Sequence, residues 1–382
     1  MMKLRTLLMI AAFLCLFAGL IGYIGWNGSL LWNVLAPGLS DAVYWTVYLF
    51  VSLGYLLAMA LRKALPYRIY KGIKWIGSYG LGLLFFSVLL LPIADIAGWL
   101  LKLGGADHDA VVTGVGGAVL VLLAVLLIRG SWNAWSPVVR RYDIVIDKQA
   151  GAMQELRVAV ASDLHLGTIV GKRHLARLVE RIDGMKPDLI LLPGDVLDDS
   201  IEPFVRENMA EVLGRLRAPL GVYASLGNHE YIGGHIEEYV KRMQEIGIEV
   251  LVDRTVNVAD SFYVVGRKDY AAERFTKQGR LGVEELLSDV DRTRPVIVLD
   301  HQPHKLGAAA QAGVDLMLSG HTHRGQMVPN HFITGRIFEL DWGYLRKEAM
   351  HAIVSSGFGS WGPPLRLGSR SEVLDIRVAF SG

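Results

Sequence analysis

Charge is distributed so unevenly along this chain that one solvent cannot account for both ends. Of its 39 basic and 37 acidic residues, 13 fall in residues 1–130 and 63 in residues 131–382. Hydrophobic residues make up 52% of the sequence and mean hydropathy is +0.34, high for a chain that is still 20% charged. The apolar excess is confined to the amino-terminal third, which implies a membrane part followed by a soluble globular part.

Four apolar stretches occupy that first part, roughly residues 7–24, 43–61, 75–101 and 111–128, each long enough to cross a hydrocarbon core of about 30 Å. They predict a four-helix transmembrane domain over residues 1–130. Lys3 and Arg5 precede the first stretch as they would in a signal peptide, but no small-x-small cleavage site follows it and three further spans do. Basic residues set the expected orientation, because they stay preferentially on the cytoplasmic side. Lys3, Arg5, Arg62, Lys63, Arg68, Lys71, Lys74, Arg129, Arg140 and Arg141 fall on one face, and Lys102 alone falls on the other. A multi-pass protein of the inner (cytoplasmic) membrane is expected, with both termini and the soluble domain in the cytoplasm. Asp95 falls near the outer interface and reads as a solvated residue, while Gly114 and Gly117 are candidates for close helix contacts. The sole cysteine, Cys15, lies inside the first span, which excludes intrachain disulfides.

Residues 131–155 read as a connector. "SWNAWSPVV" carries tryptophans suited to a membrane interface, and "YDIVID" alternates as a first strand. From residue 156 to 382 the pattern changes. "LRVAVASDLHLG", "DLILLPGDVLDD", "LGVYASLGNHEY", "PVIVLDHQPH" and "VDLMLSGHTHRG" are short apolar runs, each stopping at a polar loop, with amphipathic stretches such as "RHLARLVERIDGM" between some of them. Runs apolar on both faces are typical of strands buried between helices, so this part is expected to be an α/β layered fold or sheet sandwich.

Five strand ends therefore deliver Asp163 and His165, Asp195, Asn228 and His229, His301, then His321 and His323. Strand ends are where α/β folds build sites, because a rigid sheet fixes the geometry while the loops present side chains. Oxygen and imidazole ligands without a thiolate suit Mn, Fe or Zn rather than a cysteine-based structural zinc site. One ion seldom uses so many such ligands, whereas two ions about 3.5–4 Å apart, sharing a carboxylate, would use seven of these eight residues. His108, His174, His235, His331 and His351 lack this context and read as ordinary surface or core residues.

"DLH", "GDVLD", "GNHE", "DHQPH" and "GHTH", in that order, resemble the calcineurin-like metallophosphoesterase superfamily over about residues 142–382. The closing "SSGFGSWGPPLRLGSRSEV" resembles the final segment of a bacterial branch that includes membrane-associated phosphoesterases. The resemblance implies an α/β metallophosphoesterase sandwich following the transmembrane domain. It implies two divalent metal ions, with Asp163, His165 and His323 on one, Asn228, His301 and His321 on the second, and Asp195 bridging both. It makes His229 a catalytic residue that binds no metal, and Asp198 the carboxylate that orients it. Arg324 stands where the branch more usually has glycine, and His304 where an acidic residue is common. Arg324, directly after a ligand, and Arg366 are the substrate-binding candidates, ahead of Arg267 and Lys268.

The chemistry has its own logic. A phosphoester anion repels hydroxide, so a catalyst must supply positive charge and a nucleophile at neutral pH. Water has a pKa of about 15.7 in bulk and about 7 on a single zinc, so a water shared by two ions is readily a hydroxide poised for in-line attack. The expected function is a membrane-anchored phosphoesterase acting on a phosphoester or pyrophosphate, with a lipid or lipid-linked substrate favoured and UDP-diacylglucosamine-type compounds one option suggested by relatives. A phosphodiesterase for a soluble substrate, anchored for location only, is the alternative. A non-enzymatic scaffold is a third, disfavoured because such proteins lose ligands and none is missing here. No nucleic-acid partner is expected, and the oligomeric state is left open.

Overall fold

The computed structural model describes residues 4–382, so Lys3, one of the basic residues used for orientation, lies outside the described residues. The chain divides into two compact units, one ending at Gly130 and one comprising Ser131–Gly382.

In the first unit lie α1 (Leu4–Leu35), α2 (Asp41–Leu61), α3 (Tyr67–Leu103) and all but the last five residues of α4 (His108–Trp135), each helix long and apolar enough to cross a membrane. Ser40 caps α2, its Oγ accepting from the Ala42 N–H at 3.2 Å, which satisfies one of the donors a helix start leaves unpaired. α2 and α3 pack backbone to backbone. A Cβ on Gly77 would lie 1.9 Å from Tyr55 N, so glycine is required at that crossing. The sequence reading placed close contact at Gly114 and Gly117 instead, yet neither has another element within 4 Å of its Cβ position. Glycine spacing in a span does not reveal which face meets a neighbour. Asp95 is likewise more than a solvated residue, because the Tyr23 phenol of α1 donates to its carboxylate.

The second unit is built on two six-stranded sheets. One has the order β1 (Val138–Ile146), β12 (Glu372–Phe380), β2 (Glu155–Val160), β3 (Leu189–Pro193), β4 (Val222–Ser225), β5 (Glu249–Val250). The other runs β10 (Gly343–Lys347), β11 (Met350–Val354), β9 (Leu316–Ser319), β8 (Val296–Leu299), β7 (Phe262–Gly266), β6 (Arg254–Val258). β1 begins at Val138, four residues before "YDIVID", so the first strand expected within residues 131–155 starts earlier than the alternation suggested, and it pairs in parallel with β12 at the edge of its sheet.

Period-two alternation explains the layers. In β3, Leu189 and Leu191 face the other sheet and pack in a core shared with Val264, Ile297, Leu316 and Ile353. Ile190 and Leu192 face outward under α5 (Lys172–Met185), whose Leu175, Leu178, Val179 and Ile182 form a second core with them. A third core covers the outer face of the other sheet, where Val296 and Val298 meet Leu306 and Ala309. The result is helix, sheet, sheet, helix, and the strands are apolar on both faces because both faces are covered.

The tryptophans of "SWNAW" divide. Trp132 is exposed, whereas Trp135 stands edge-on to the His174 ring of α5 at 4.9 Å, and Phe358 stacks on the other side of that ring at 4.3 Å. His174 is therefore a packing residue of the second unit, and burial holds its pKa down at about 4. An unfolded chain would protonate it near 6.5, so its contribution to stability is complete above that pH and is lost as pH falls towards 4. The gap corresponds to about 3 kcal/mol. His174→Phe is expected to flatten the pH dependence of thermal unfolding of the full chain between pH 6.5 and 4. Parallel wild-type and variant curves would show that this ring is not the acid-sensitive group.

Candidate metal centre

The carboxyl ends of parallel strands β2, β3 and β4 in one sheet, and of β8 and β9 in the other, converge on one place. Each apolar strand stops at a short loop carrying one block of polar side chains. Asp163, His165, Asp195, His321 and His323 all adopt left-handed backbone conformations, with φ between 46° and 71°. Such positions cost on the order of 1–3 kcal/mol each for residues with a Cβ and persist only where the surroundings enforce them. What is gained is aim: a tight turn directs each side chain back across the strand ends.

Close approach of the loops is enforced at Gly227 and Gly320. A Cβ on Gly227 would lie 2.1 Å from Asp195 Oδ1, and one on Gly320 would lie 2.1 Å from Asp163 Oδ2. The glycine of "GNH" and that of "GHTH" are thus steric requirements of the carboxylates they face. Glu230, which the sequence reading passed over, ties the loops together. In the first turn of α6 (Asn228–Gly233), its buried carboxylate accepts from Gly227 N at 2.7 Å, Leu197 N at 2.9 Å and Asp195 N at 3.2 Å. Burial raises its pKa to about 7, with the neighbouring Asp195 adding to the effect. The "GNHE" pattern carried the signal, since a glutamate at the third residue of a helix can reach back to the amide before it.

Among the described residues, three overlapping groups of side chains could hold an ion: Asp163, His165 and His323; Asp195, His301 and His321; and, sharing members with both, His165, Asp195 and His229. In each group the ligand atoms lie within 4.8 Å of one another. In the first group the Nε2 atoms of His165 and His323 face each other at 3.0 Å, and Asp163 Oδ1 lies 3.5 Å from His323 Nε2. In the second, Asp195 Oδ2 lies 3.0 Å from His301 Nε2, and His321 Nδ1 meets Asn228 Oδ1 at 2.9 Å. The same Asp195 Oδ2 is 4.0 Å from His165 Nε2, which puts it within reach of both groups. Buried polar atoms normally find partners. Here Asp163 Oδ2, His165 Nδ1 and His301 Nε2 are buried without a hydrogen bond, even though His301 Nε2 has a carboxylate nearby. Facing imidazole nitrogens and orphaned acceptors around shared carboxylates form a donor set that fits divalent cations.

The electrostatics agree. Burial pulls the pKa of His165 and His323 well below the ordinary imidazole value and that of His321 to about 3, leaving the three rings unprotonated and able to ligate a cation. His301 differs. Burial is the largest influence and opposes its protonation, but the Asp195, Asp163 and Asp269 carboxylates together raise its pKa, so His301 and Asp195 form an ion pair that a dication would displace. Burial also raises Asp163, to about 6, with the charge of Asp195 acting in the same direction.

His229 belongs to the third group and borders the other two. Its N–H donates to Asp195 Oδ1 at 2.9 Å, its Nε2 is 4.0 Å from Asp195 Oδ2, and its ring stands edge-on to that of His165 at 4.6 Å. The carboxylate paired with its Nδ1, at 2.7 Å, is that of Asp199. The sequence reading assigned this contact to Asp198, one residue too early. Asp199 has a left-handed backbone (φ 54°) that turns its side chain to His229, while Asp198 Oδ1 lies 3.8 Å from His165 Nδ1. Burial works against protonation of His229, yet the hydrogen bond to Asp199 and the charges of Asp195, Asp199 and Asp198 lift its pKa to about 9.

Arg366 also departs from its expected role. It is 0% exposed and cannot touch a substrate from there. Its guanidinium donates to Ser356 O at 2.7 Å and to Gly359 O, and its Nη2 lies 2.9 Å from His323 Nδ1. Arg366 therefore fixes the ring of His323 from behind and, after burial, is the main influence keeping it unprotonated. A guanidinium only donates, so it meets Nδ1 of this candidate ligand as an acceptor and positions the ring without taking an N–H from it; neighbours that position a ligand typically change metal affinity by about 10–100-fold when replaced. Arg366→Lys, which keeps the charge and loses the fork, is expected to weaken metal binding at the Asp163 group by about that factor. A chelator titration of the full chain would read it as one weakened site beside one unchanged site; equal weakening of both would point to a general loss of structure. Arg324 is partly exposed, with its guanidinium over the Trp342 ring at 4.1 Å.

Residues 156–325 match the family model for calcineurin-like phosphoesterases. A zebrafish (Danio rerio) protein named "Transmembrane protein with metallophosphoesterase domain" is 31% identical over 308 residues, covering 77% of this chain and 70% of its own length. A cattle (Bos taurus) protein of the same name is 29% identical, and the match spans 67% of this chain and 61% of that protein. An Aquifex aeolicus protein named "Uncharacterized metallophosphoesterase" is 31% identical over 246 residues, 64% of this chain and 92% of that one.

Proposed function

Because the chain belongs to the calcineurin-like metallophosphoesterases, and is by that membership a metal-dependent phosphoesterase, we propose that it hydrolyses a phosphoester or pyrophosphate bond of a lipid or lipid-linked substrate while anchored in the inner membrane. The observation that carries the two-ion reading is the single carboxylate of Asp195 standing within reach of both ligand groups. Asp163, His165 and His323 would hold one ion, Asn228, His301 and His321 the other, and Asp195 would serve both. Such ions, when bound, would supply positive charge for the phosphoryl oxygens and lower the pKa of water at the site. His229, protonated and backed by Asp199, lends a proton to the departing oxygen. Arg324, at the rim, binds the part of the substrate that carries further negative charge.

The membrane helices support the anchored reading. Residues 1–130 are taken as the membrane domain, 131–155 as connector and first strand, and 156–382 as the catalytic domain. The distribution of Lys and Arg supports a cytoplasmic catalytic domain. A reporter fused after Gly382 is expected to behave as cytoplasmic, and a cysteine placed at Lys102 to be labelled from outside; the opposite pattern would reverse the orientation.

The functional test is a panel of phosphoesters presented to the purified full chain in lipid nanodiscs, with Mn, Fe or Zn added in turn. Metal-dependent turnover of lipid-linked phosphoesters well above that of soluble ones is the expected result. Preference for soluble diesters would move the assignment to a phosphodiesterase for which the helices serve only as an anchor.

A further inference from the structure

The segment after "GHTH" leads into α7 (His331–Ile337), a helix of seven residues that buries none of them. Isolated helices this short are marginal in water, so its side chains gain nothing from facing outward unless something else covers them. Phe332 (58% exposed), Ile333 (57%) and Ile337 (62%) lie on α7, with Val328 just before it and Trp361 (59%) on a neighbouring loop. These five are among the few large apolar side chains of the catalytic unit left exposed.

The two segments are fastened into one surface. Gln326 donates through Nε2 to Trp361 O at 2.8 Å and Pro363 O at 3.0 Å, and its Oε1 accepts from Trp361 N at 3.0 Å. Val328 N donates to Leu367 O at 2.6 Å, and Thr334 Oγ1 on α7 donates to the Asp341 carboxylate at 2.7 Å. The surface borders the metal centre. Phe338, the residue after α7, lies 6.0 Å from the His321 ring and 4.8 Å from the His304 ring, centre to centre.

We propose that α7, with Val328 and Trp361, is a docking surface for a phospholipid bilayer, placing the interface at the mouth of the metal centre. Contiguous exposed apolar patches are uncommon on soluble domains and mark interaction sites. Aliphatic side chains, a tryptophan, a phenylalanine and the exposed Arg336 are the composition of segments that lie in a membrane interface and meet anionic headgroups. The occupant follows from the same chain. Four helices able to cross a membrane keep a bilayer at high local concentration around this domain, whereas a protein partner would have to be supplied. A lipid substrate would then reach the ions with its tails still in the bilayer and its phosphate at Arg324. That catalytic consequence rests on the proposed lipid substrate; the docking does not.

The test uses the full chain with Cys15→Ser, in nanodiscs of phosphatidylcholine and phosphatidylglycerol. Single cysteines replace Phe332, Ile337, Trp361 and, as a control, the exposed Asp289, and each carries a polarity-sensitive fluorophore. Blue-shifted emission, quenched by spin-labelled lipid at the first three sites and not at Asp289, is expected. Water-like emission at all four, or a blue shift that lipid does not quench, would overturn the docking surface; the latter would mean that protein covers it. Phe332→Asp with Ile337→Asp is expected to lower turnover of bilayer-embedded substrate by about tenfold or more, leaving turnover of a soluble nitrophenyl ester unchanged. Lipid quenching in a protein that turns over no lipid would support the docking surface and overturn the substrate reading alone. Undiminished lipid turnover in the double variant would overturn the docking surface even if the substrate reading stands.

Discussion

Asp195→Asn is expected to leave the purified chain with well under two divalent ions and to lower turnover by on the order of 10⁴-fold or more. The substitution preserves shape and an acceptor for the His229 N–H, which Asp195 Oδ1 receives at 2.9 Å. What it removes is the one negative charge that lies 3.0 Å from His301 Nε2 and 4.0 Å from His165 Nε2, between the two ligand groups. A neutral amide offsets little of the repulsion between two dications. Elemental analysis after gentle purification reads the metal content directly, and circular dichroism checks the fold, which the Glu230 bonds to the backbone of this loop should maintain. A variant that retains both ions, or a wild-type chain that is fully active without them, would end the two-ion reading.

His229→Asn is expected to do the reverse: metal content is retained while the turnover number falls by about 10²–10⁴-fold. The imidazole stands beside the ligand groups and is backed by Asp199 at 2.7 Å, which supports its protonated form and fixes its orientation. A proton donor matters most when the departing oxygen is a strong base. The loss should therefore shrink for nitrophenyl esters, whose leaving group needs little protonation. Asp199→Asn should give a smaller loss with the same dependence on the leaving group. Asp198→Asn should instead act on metal binding, because its carboxylate faces His165 at 3.8 Å. His229 could also reach an ion together with His165 and Asp195, as their ligand atoms lie within 4.8 Å. If His229→Asn strips the metal, or slows all esters equally, the ring is a ligand or an electrostatic stabiliser.

The site was legible where chemistry requires a residue type after an apolar strand. The seven ligand candidates each follow such a strand, and the structure brings all seven together. What the sequence reading missed lies one layer further out. Glu230 resembles any helix-start glutamate until its carboxylate is seen between three backbone amides. Arg366 resembles a phosphate-binding arginine until its burial is known, because a sequence does not say which side of a loop faces inward. The shift from Asp198 to Asp199 has the same origin. Consecutive aspartates differ in direction according to the backbone angle at each, and a left-handed turn at Asp199 decides between them.

By itself the sequence determined the two-part organisation, the four long apolar helices, the α/β class and the residue types that can ligate metal. These follow from quantities local in the chain: mean hydropathy over a span, period-two burial along a strand, and the donor atoms available at each strand end. Tertiary structure alone decided that residues 138–146 complete a sheet, that helix contact falls at Gly77 rather than at Gly114, and that His229 pairs with Asp199. It also decided that Arg366 supports a ligand, and that α7 presents its apolar side chains outward beside the site. Each of these depends on which distant segment arrives at a given surface. Burial and pairing are properties of two surfaces in contact, and a local pattern specifies only one of them.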